Sequence, residues 1–483
     1  MQEIFVNTQY DIAVIGGGIV GCAVARRLTL AGAKVILIEK APDILAGASK
    51  GNSAILHTAF DAPENSLELQ CMQAGYAEYL DIHKGMNLPL LKTGALLAAW
   101  TVEEEAKFAG IMTKAKNNGI DDLKLLSTSQ ARKIEPNLST SILASIEVPR
   151  EYVIDPWSAP LAYLTQAIEN GADTLFNTNV QGGDFNGSWT LDTNQGKVKA
   201  HHVINCAGLY GDILNQNTLG KTDFEIRPRK GEFVVFDKAA SKLLKNILLP
   251  IPTEITKGIV IFPTIFGNIA VGPTADEQEG RADTSVAKEN LEMLYAFGLE
   301  KIPNLKNIPV TATYAGIRPA TEKKHYRVKH DIDNNWITLG GIRSTGLTAS
   351  LGLAQHVESL LSEQGISFKK LISPKVPTMP NLAEHLERDW QKPNAGEVVC
   401  HCEMVTKREI ENAMKSTLPA GSVEGLKRRT RATMGRCQGF YCTARLAELT
   451  EGKYKTPLSI GDGIDDIIGN NADNSIDNRK EDS

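Results

Sequence analysis

Two sets of residues have types and spacings that could do chemistry. Gly16, Gly18 and Gly21 form a G-x-G-x-x-G turn. In such a turn the first glycine permits a tight bend, the second lets backbone approach a pyrophosphate, and the third lets helix and strand pack closely. The pyrophosphate then rests on the helix N-terminus. An acid about twenty residues further on accepts from a ribose hydroxyl, and Glu39 lies eighteen residues past Gly21. The second set is Cys400, Cys402, Cys437 and Cys442, a C-x-C pair and a C-x₄-C pair within 43 residues. Four thiolates can hold one [2Fe–2S] centre. Zinc is the rival, with His401 available, although zinc sites more often use C-x₂₋₄-C spacing. Lys427, Arg428, Arg429, Arg431 and Arg436 lie between the pairs, either to offset the charge of a thiolate-bound centre or as a solvated helix face. Cys22, Cys71 and Cys206 are isolated in apolar elements and read as core.

Single residues complete the set. His57 could take a proton from a substrate hydroxyl, because imidazole suits general-base work; the alternative is a histidine that only hydrogen-bonds near a cofactor ring. Arg318 could grip a carboxylate or phosphate with its planar fork; the alternative is a structural salt bridge. Lys257 and Arg343 are weaker anion-binding choices. Ser49 and Lys50 either contact cofactor phosphates or form a loop.

The elements that must position these residues are legible in outline. Residues 10–15 form a short apolar strand, expected to be parallel and covered on both faces. The glycine turn, a helix to Ala31 and a strand over 34–39 follow. Helical stretches are expected near 64–84 and 102–117, and a buried strand over 201–208 ends in a glycine turn. Residues 225–275 and 309–315 alternate and are rich in β-branched residues, which predicts an antiparallel sheet, with 258–275 reading as two short strands about a turn at 266–268. A strand is expected at 336–340 and a helix at 350–363. Prolines punctuate a linker at 374–393. Beyond it, Thr406 and Glu409 make a capping box, Ser422 caps a second helix expected to end at Gly435, and a third runs over about 443–450. So small a helical core with four cysteines needs a staple.

The length of 483 residues fits about three domains. With 42% apolar and 23% charged residues, the composition is that of a soluble globular protein and excludes collagen-like, coiled-coil and wholly disordered classes. The net charge of −5 resides in the Asp- and Asn-rich residues 461–483, read as a disordered acidic tail. No basic excess suggests nucleic-acid binding. Residues 1–10 lack a signal-peptide pattern, and no stretch makes a convincing transmembrane helix. The expected setting is therefore cytoplasmic and reducing, with any membrane contact peripheral.

FAD or NAD could occupy the glycine turn. The fingerprint occurs once, which suggests a flavin reduced directly by an organic substrate. The turn, Val203-Ile-Asn-Cys-Ala-Gly208 and Gly340-Gly-Ile-Arg-Ser-Thr-Gly346-Leu-Thr348 resemble the three FAD segments of the D-amino-acid-oxidase-type flavoproteins. Within that group, Gly51-Asn-Ser53-Ala-Ile-Leu-His57 resembles a segment of glycerol-3-phosphate and L-2-hydroxyglutarate dehydrogenases. Arg229-Lys-Gly-Glu232, Gly272-Pro-Thr274 and Gly316-Ile-Arg-Pro319 also fit, and the likeness spans about residues 8–365. It implies flavin contacts at Ser49, Asn52, Ser53, Ala207, Gly208, Gly341, Gly346, Leu347 and Thr348, and an active-site place for His57. Residues 399–442 are similar to the bacterioferritin-associated-ferredoxin type of [2Fe–2S] domain, which also occurs at the C-terminus of the large subunit of anaerobic glycerol-3-phosphate dehydrogenases.

The resemblance implies an α/β fold. A Rossmann-type FAD-binding domain (1–85, 145–220, 310–370) would carry an inserted, mainly antiparallel β substrate domain (86–144, 221–309). A linker (371–395) and a small helical [2Fe–2S] domain (396–455) would follow. The activity implied is oxidation of a small anionic secondary alcohol, first of all glycerol 3-phosphate, with electrons leaving through the cluster to partner subunits or a quinone. The alternatives are a 2-hydroxy acid such as L-2-hydroxyglutarate, an amine or opine, or a non-catalytic electron-transfer subunit.

Overall fold

The computed structural model describes residues 8–252 and 258–454. Lys257 and the acidic tail lie outside them. The fold begins with β1 (Gln9–Ile15), α1 (Ile19–Leu30) and β2 (Val35–Ile38). β1 lies between β2 and the strand Gly196–Asn205, parallel to both. Trp336–Gly340 joins on the far side of Gly196–Asn205, also parallel. Trp189–Thr193 and Arg327–Asp331 add antiparallel edges to this eight-stranded sheet. All four residues of β2 are buried, as expected of a strand covered on both faces. Helices α1, Leu67–Ile82 and Gly346–Glu363 pack together and share one apolar core with this sheet.

A second sheet of nine strands is mainly antiparallel and has its own cores. Its longest pairing joins Ile226–Phe236 to Val310–Thr321. This corrects two of the expected boundaries. Residues 310–321 and 145–148 are expected in the FAD-binding domain, but both stretches hydrogen-bond into the second sheet. Their alternating patterns fit antiparallel partners, and pairing decides membership.

Three further details differ from expectation. The helix expected from 350 begins at Gly346, because first-turn amides need no intrahelical partner and can face a cavity instead. The helix capped by Ser422 ends at Thr430 and not at Gly435. Arg431 adopts a left-handed conformation (φ 70°), and its N–H closes the last turn on the Lys427 carbonyl. The proline-rich linker is packed rather than loose, with Leu382 and Ala383 buried in the core of the second sheet. The Thr406–Glu409 capping box forms in both directions. Among the described residues no helix is long and apolar enough to cross a membrane.

Candidate functional site

A cavity of about 790 Å³ runs from the glycine turn to the second sheet, within the size range of cofactor sites. At its dinucleotide end the backbone sets the shape. Gly16 has φ +111°, and a Cβ on Gly21 would stand 1.9 Å from the Gly16 carbonyl oxygen, so α1 can approach β1 this closely only without a side chain there. Gly18 caps α1 but offers no side-chain acceptor. Ser49 supplies it: its Oγ accepts the Ile19 N–H at 3.1 Å. The buried Glu39 carboxylate accepts from the Gly17 N–H (2.5 Å) and the Ala41 N–H (2.9 Å). Burial raises its pKa, against those two bonds. The Glu39 carboxyl, which lines the cavity, thus also braces the glycine turn.

The cavity wall includes Gly16, Gly18, Glu39, Ser49, Lys50, Asn52, Ser53, Ala207, Gly208, Gly341, Gly346 and Leu347, together with Arg318 and Arg343. Gly21, Thr348 and His57 lie off the wall. Asn52 pins its own loop, donating to the Ser49 carbonyl and accepting from the Ala54 N–H. Thr348 Oγ1 accepts the His57 backbone N–H at 3.0 Å, which ties His57 to the first turn of the helix whose Gly346 and Leu347 form the wall.

His57 has a partner that sequence reasoning missed. Its Nδ1 lies 2.7 Å from Glu151 Oε2. Glu151 Oε1 accepts from Thr58 N–H and Thr58 Oγ1, both at 2.7 Å. The pairing of Ile55–Leu56 with Tyr152–Ile154 brings the two together, since Leu56 faces Tyr152. A carboxylate accepts, so Nδ1 carries the proton and Nε2 is left as the basic nitrogen. No local signal marks Glu151, because its role depends on a strand pairing across 94 residues.

Arg318 donates only to the backbone carbonyls of Arg229, Lys230 and Thr274. Among the described residues no carboxylate forms an ion pair with it. Burial, and next the nearby charge of Arg229, push its pKa down to about 10. The charge of Asp276 opposes this only in part, and the guanidinium stands on the cavity wall without a direct carboxylate contact among the described residues. Arg343 is partly engaged, 3.5 Å from Glu68 Oε2. Arg281, also unforeseen, lines the cavity and forks onto Asp212 at 2.6 and 2.9 Å.

The cluster cysteines come together. Cys400 ends the strand Val398–Cys400, and Cys442 precedes the helix Thr443–Leu449. The thiols meet as two pairs, Cys402 with Cys437 and Cys400 with Cys442. Cys437 receives backbone N–H groups, from Tyr441 above all, then from Gly439 and Phe440, and its pKa is lowered. Such donors suit a thiolate bound to iron. Among the described residues no three metal-ligating side chains converge on a single-ion position, and His401 is exposed. Two thiol pairs fit a two-iron centre better than one zinc ion. The basic run takes neither expected role in full. Arg428, Arg429 and Arg431 are buried: the first two bond to the Ile44 carbonyl and Asp43 of the FAD-binding domain, and Arg431 pairs with Glu403 inside the cluster domain.

The family model described as FAD dependent oxidoreductase matches residues 11–360, and that of the BFD-like [2Fe-2S] binding domain matches 398–451. A glycerol 3-phosphate dehydrogenase of Caloramator mitchellensis is 29% identical over 451 residues, covering 91% of this chain and 93% of its own. A glycerol 3-phosphate oxidase of Mycoplasma pneumoniae is 30% identical and covers 73% and 94%. One subunit of the anaerobic glycerol-3-phosphate dehydrogenase of Escherichia coli is 24% identical over 91% and 88%. The solved L-alpha-glycerophosphate oxidase of Mycoplasma pneumoniae, with FAD bound, superposes with a TM-score of 0.68 at 26% identity, over 77% of this chain and 97% of that one. The cavity built on the glycine turn and the paired thiols behind it thus belong to a member of the FAD-dependent oxidoreductase family, an enzyme that uses FAD and carries a [2Fe–2S] domain.

Proposed function

We propose that the chain oxidises glycerol 3-phosphate to dihydroxyacetone phosphate. The observation that carries this reading is Arg318, a half-buried guanidinium on the cavity wall that forms no ion pair with a carboxylate among the described residues. An anionic substrate group supplies the charge it lacks. The names of two relatives that cover 91% of this chain point the same way.

Bound FAD supplies the two-electron acceptor for the hydride leaving the secondary carbon. The protein's own residues do the rest. Arg318 holds the phosphate, with Arg343 and Lys257 as further anion-binding residues. His57 Nε2 takes the hydroxyl proton. Glu151 accepts the Nδ1 proton of His57, which keeps the ring in the basic tautomer and favours the imidazolium as it forms. A [2Fe–2S] centre held by Cys400, Cys402, Cys437 and Cys442 would supply a one-electron relay between a bound flavin and a partner protein or a quinone. A relative that is itself one subunit of a dehydrogenase supports an electron-accepting partner, and such a partner would place the chain peripherally at the cytoplasmic face of a membrane.

Anaerobic flavin bleaching with a panel tests the reading. Glycerol 3-phosphate should bleach the flavin fastest. L-2-hydroxyglutarate, which Arg318 could also grip through a carboxylate, is the main competitor, and an opine or glycine stands for the amine chemistry. Fastest reduction by any of these three would replace the proposal.

A further inference from the structure

The cluster domain does more than stand beside the flavin cavity. It grips both ends of one loop in the cavity wall. Residues 40–51 follow Glu39 and supply Lys40, Ala41, Pro42 and residues 46–51 to the wall.

At the first end, Arg429 of the helix Val423–Thr430 forks onto Asp43 at 2.7 and 2.9 Å. The side chains are 6% and 1% exposed. Asp43 also accepts from the Gly421 N–H and from its own neighbour Ile44 N–H, so one carboxylate organises the loop and the contact together. Arg428 donates to the Ile44 carbonyl at 3.0 Å. The approach is as close as backbone allows: a Cβ on Gly421 would lie 1.9 Å from the Pro42 carbonyl oxygen, and one on Gly425 would lie 1.7 Å from Asp43 Oδ2.

At the other end the contact is aromatic. Arg431 lies 3.9 Å over the ring of Phe266. Phe266 stacks on Trp157 at 5.3 Å and 13°, and Trp157 Nε1–H donates to the Lys50 carbonyl. Arg431 is itself held by Glu403, the residue after Cys402. One end of the loop is thus held by the helix that precedes Cys437, and the other, through Phe266 and Trp157, by Arg431, whose partner Glu403 adjoins Cys402.

We propose that the docked cluster domain is part of the FAD-binding apparatus, with Asp43 and Arg429 as positioning residues, so that cluster loading tightens FAD binding and FAD in turn retains the cluster. The physical basis is linkage. A domain with so small a core relies on its metal centre for order. Loss of the centre loosens Arg429 and Arg431, and with them the loop that closes on the dinucleotide. Coupling between two sites is reciprocal in binding free energy.

The test measures FAD affinity in the full-length chain by equilibrium fluorescence, with hydrogen exchange of residues 40–51 as a second readout. Arg429→Ala should weaken FAD binding by roughly 5- to 150-fold, the usual span of such coupling, and speed exchange in the loop. Phe266→Leu attacks the other end from a different sheet and should do the same to a smaller degree, which keeps the test valid if Arg429→Ala fails to fold. Arg445→Ala, whose partners Glu397 and Glu448 lie within the cluster domain's own surface, should change neither. In the wild-type chain, a chelator should strip the cluster more slowly when FAD is saturating. Wild-type affinity and exchange in both test variants, together with cluster loss indifferent to FAD, would overturn the proposal.

Discussion

The walls of the dinucleotide cavity come from stretches as far apart as Gly16 and Leu347, whereas all four cluster sulfurs come from 43 residues. The first site is made by sheet register: β1, β2 and the strand Gly196–Asn205 must pair in order before Gly16 and Cys206 lie side by side. The second is made by a short strand, a capped helix and a loop of inward N–H groups. A site built by register fails as a whole when one of its close contacts is filled. A site built locally can be emptied without unmaking the sheets, and its failure reaches the first through contacts such as Arg429–Asp43 and the Phe266–Trp157 stack.

Substitutions can break this contrast, and Gly18→Glu should have the largest effect. A Cβ at Gly18 meets only Ser49 Oγ, at 3.3 Å, so the chain still folds. The glutamate instead fills the pyrophosphate position and adds like charge, and FAD binding should be lost in a direct titration. Cys437→Ser should remove iron and inorganic sulfide while far-UV circular dichroism stays close to wild type. FAD should still bind when saturating.

The residues proposed for catalysis sharpen the comparison within the first site. His57→Ala should slow flavin reduction by about 10²-fold or more, as for loss of a general base, measured in rapid anaerobic mixing that excludes later electron transfer. Arg318→Ala should raise the apparent KM for an anionic substrate by roughly 30- to 150-fold, about 2–3 kcal/mol for a lost charged hydrogen bond, with a smaller change in the limiting rate. Ser49→Ala should have the smallest effect. Losing the cap on the Ile19 N–H costs about 1 kcal/mol, seen as a fall of a few degrees in Tm and a few-fold weaker FAD binding.

Much of the first site was legible because its chemistry is written in consecutive residues. The glycine turn, Glu39 and the strand before them report one local unit, and that unit is where the sequence places it. The cysteine spacing was legible for the same reason, as were the Thr406 and Ser422 caps. What escaped depends on contacts across the chain. Glu151 is an ordinary acid until Tyr152–Ile154 pairs with Ile55–Leu56. Asp43 is an ordinary loop acid until Arg429, 386 residues later, folds onto it. The basic run reads as facing a cluster or water because composition cannot show which side of a helix docks. Alternation groups 309–315 with 225–275 in one antiparallel sheet, and Val310–Thr321 does pair there; the boundary at 310 comes from the family likeness, which does not show strand pairing.

Central to this account is that substrate, flavin and cluster act in series within one chain. The most direct test is a single anaerobic turnover of the holoenzyme with glycerol 3-phosphate, following flavin absorbance and, by freeze-quench, the cluster's EPR signal. Flavin should bleach first, and the reduced-cluster signal should then grow as part of the flavin colour returns. A cluster signal that never appears, or a flavin that glycerol 3-phosphate leaves oxidised, would contradict it.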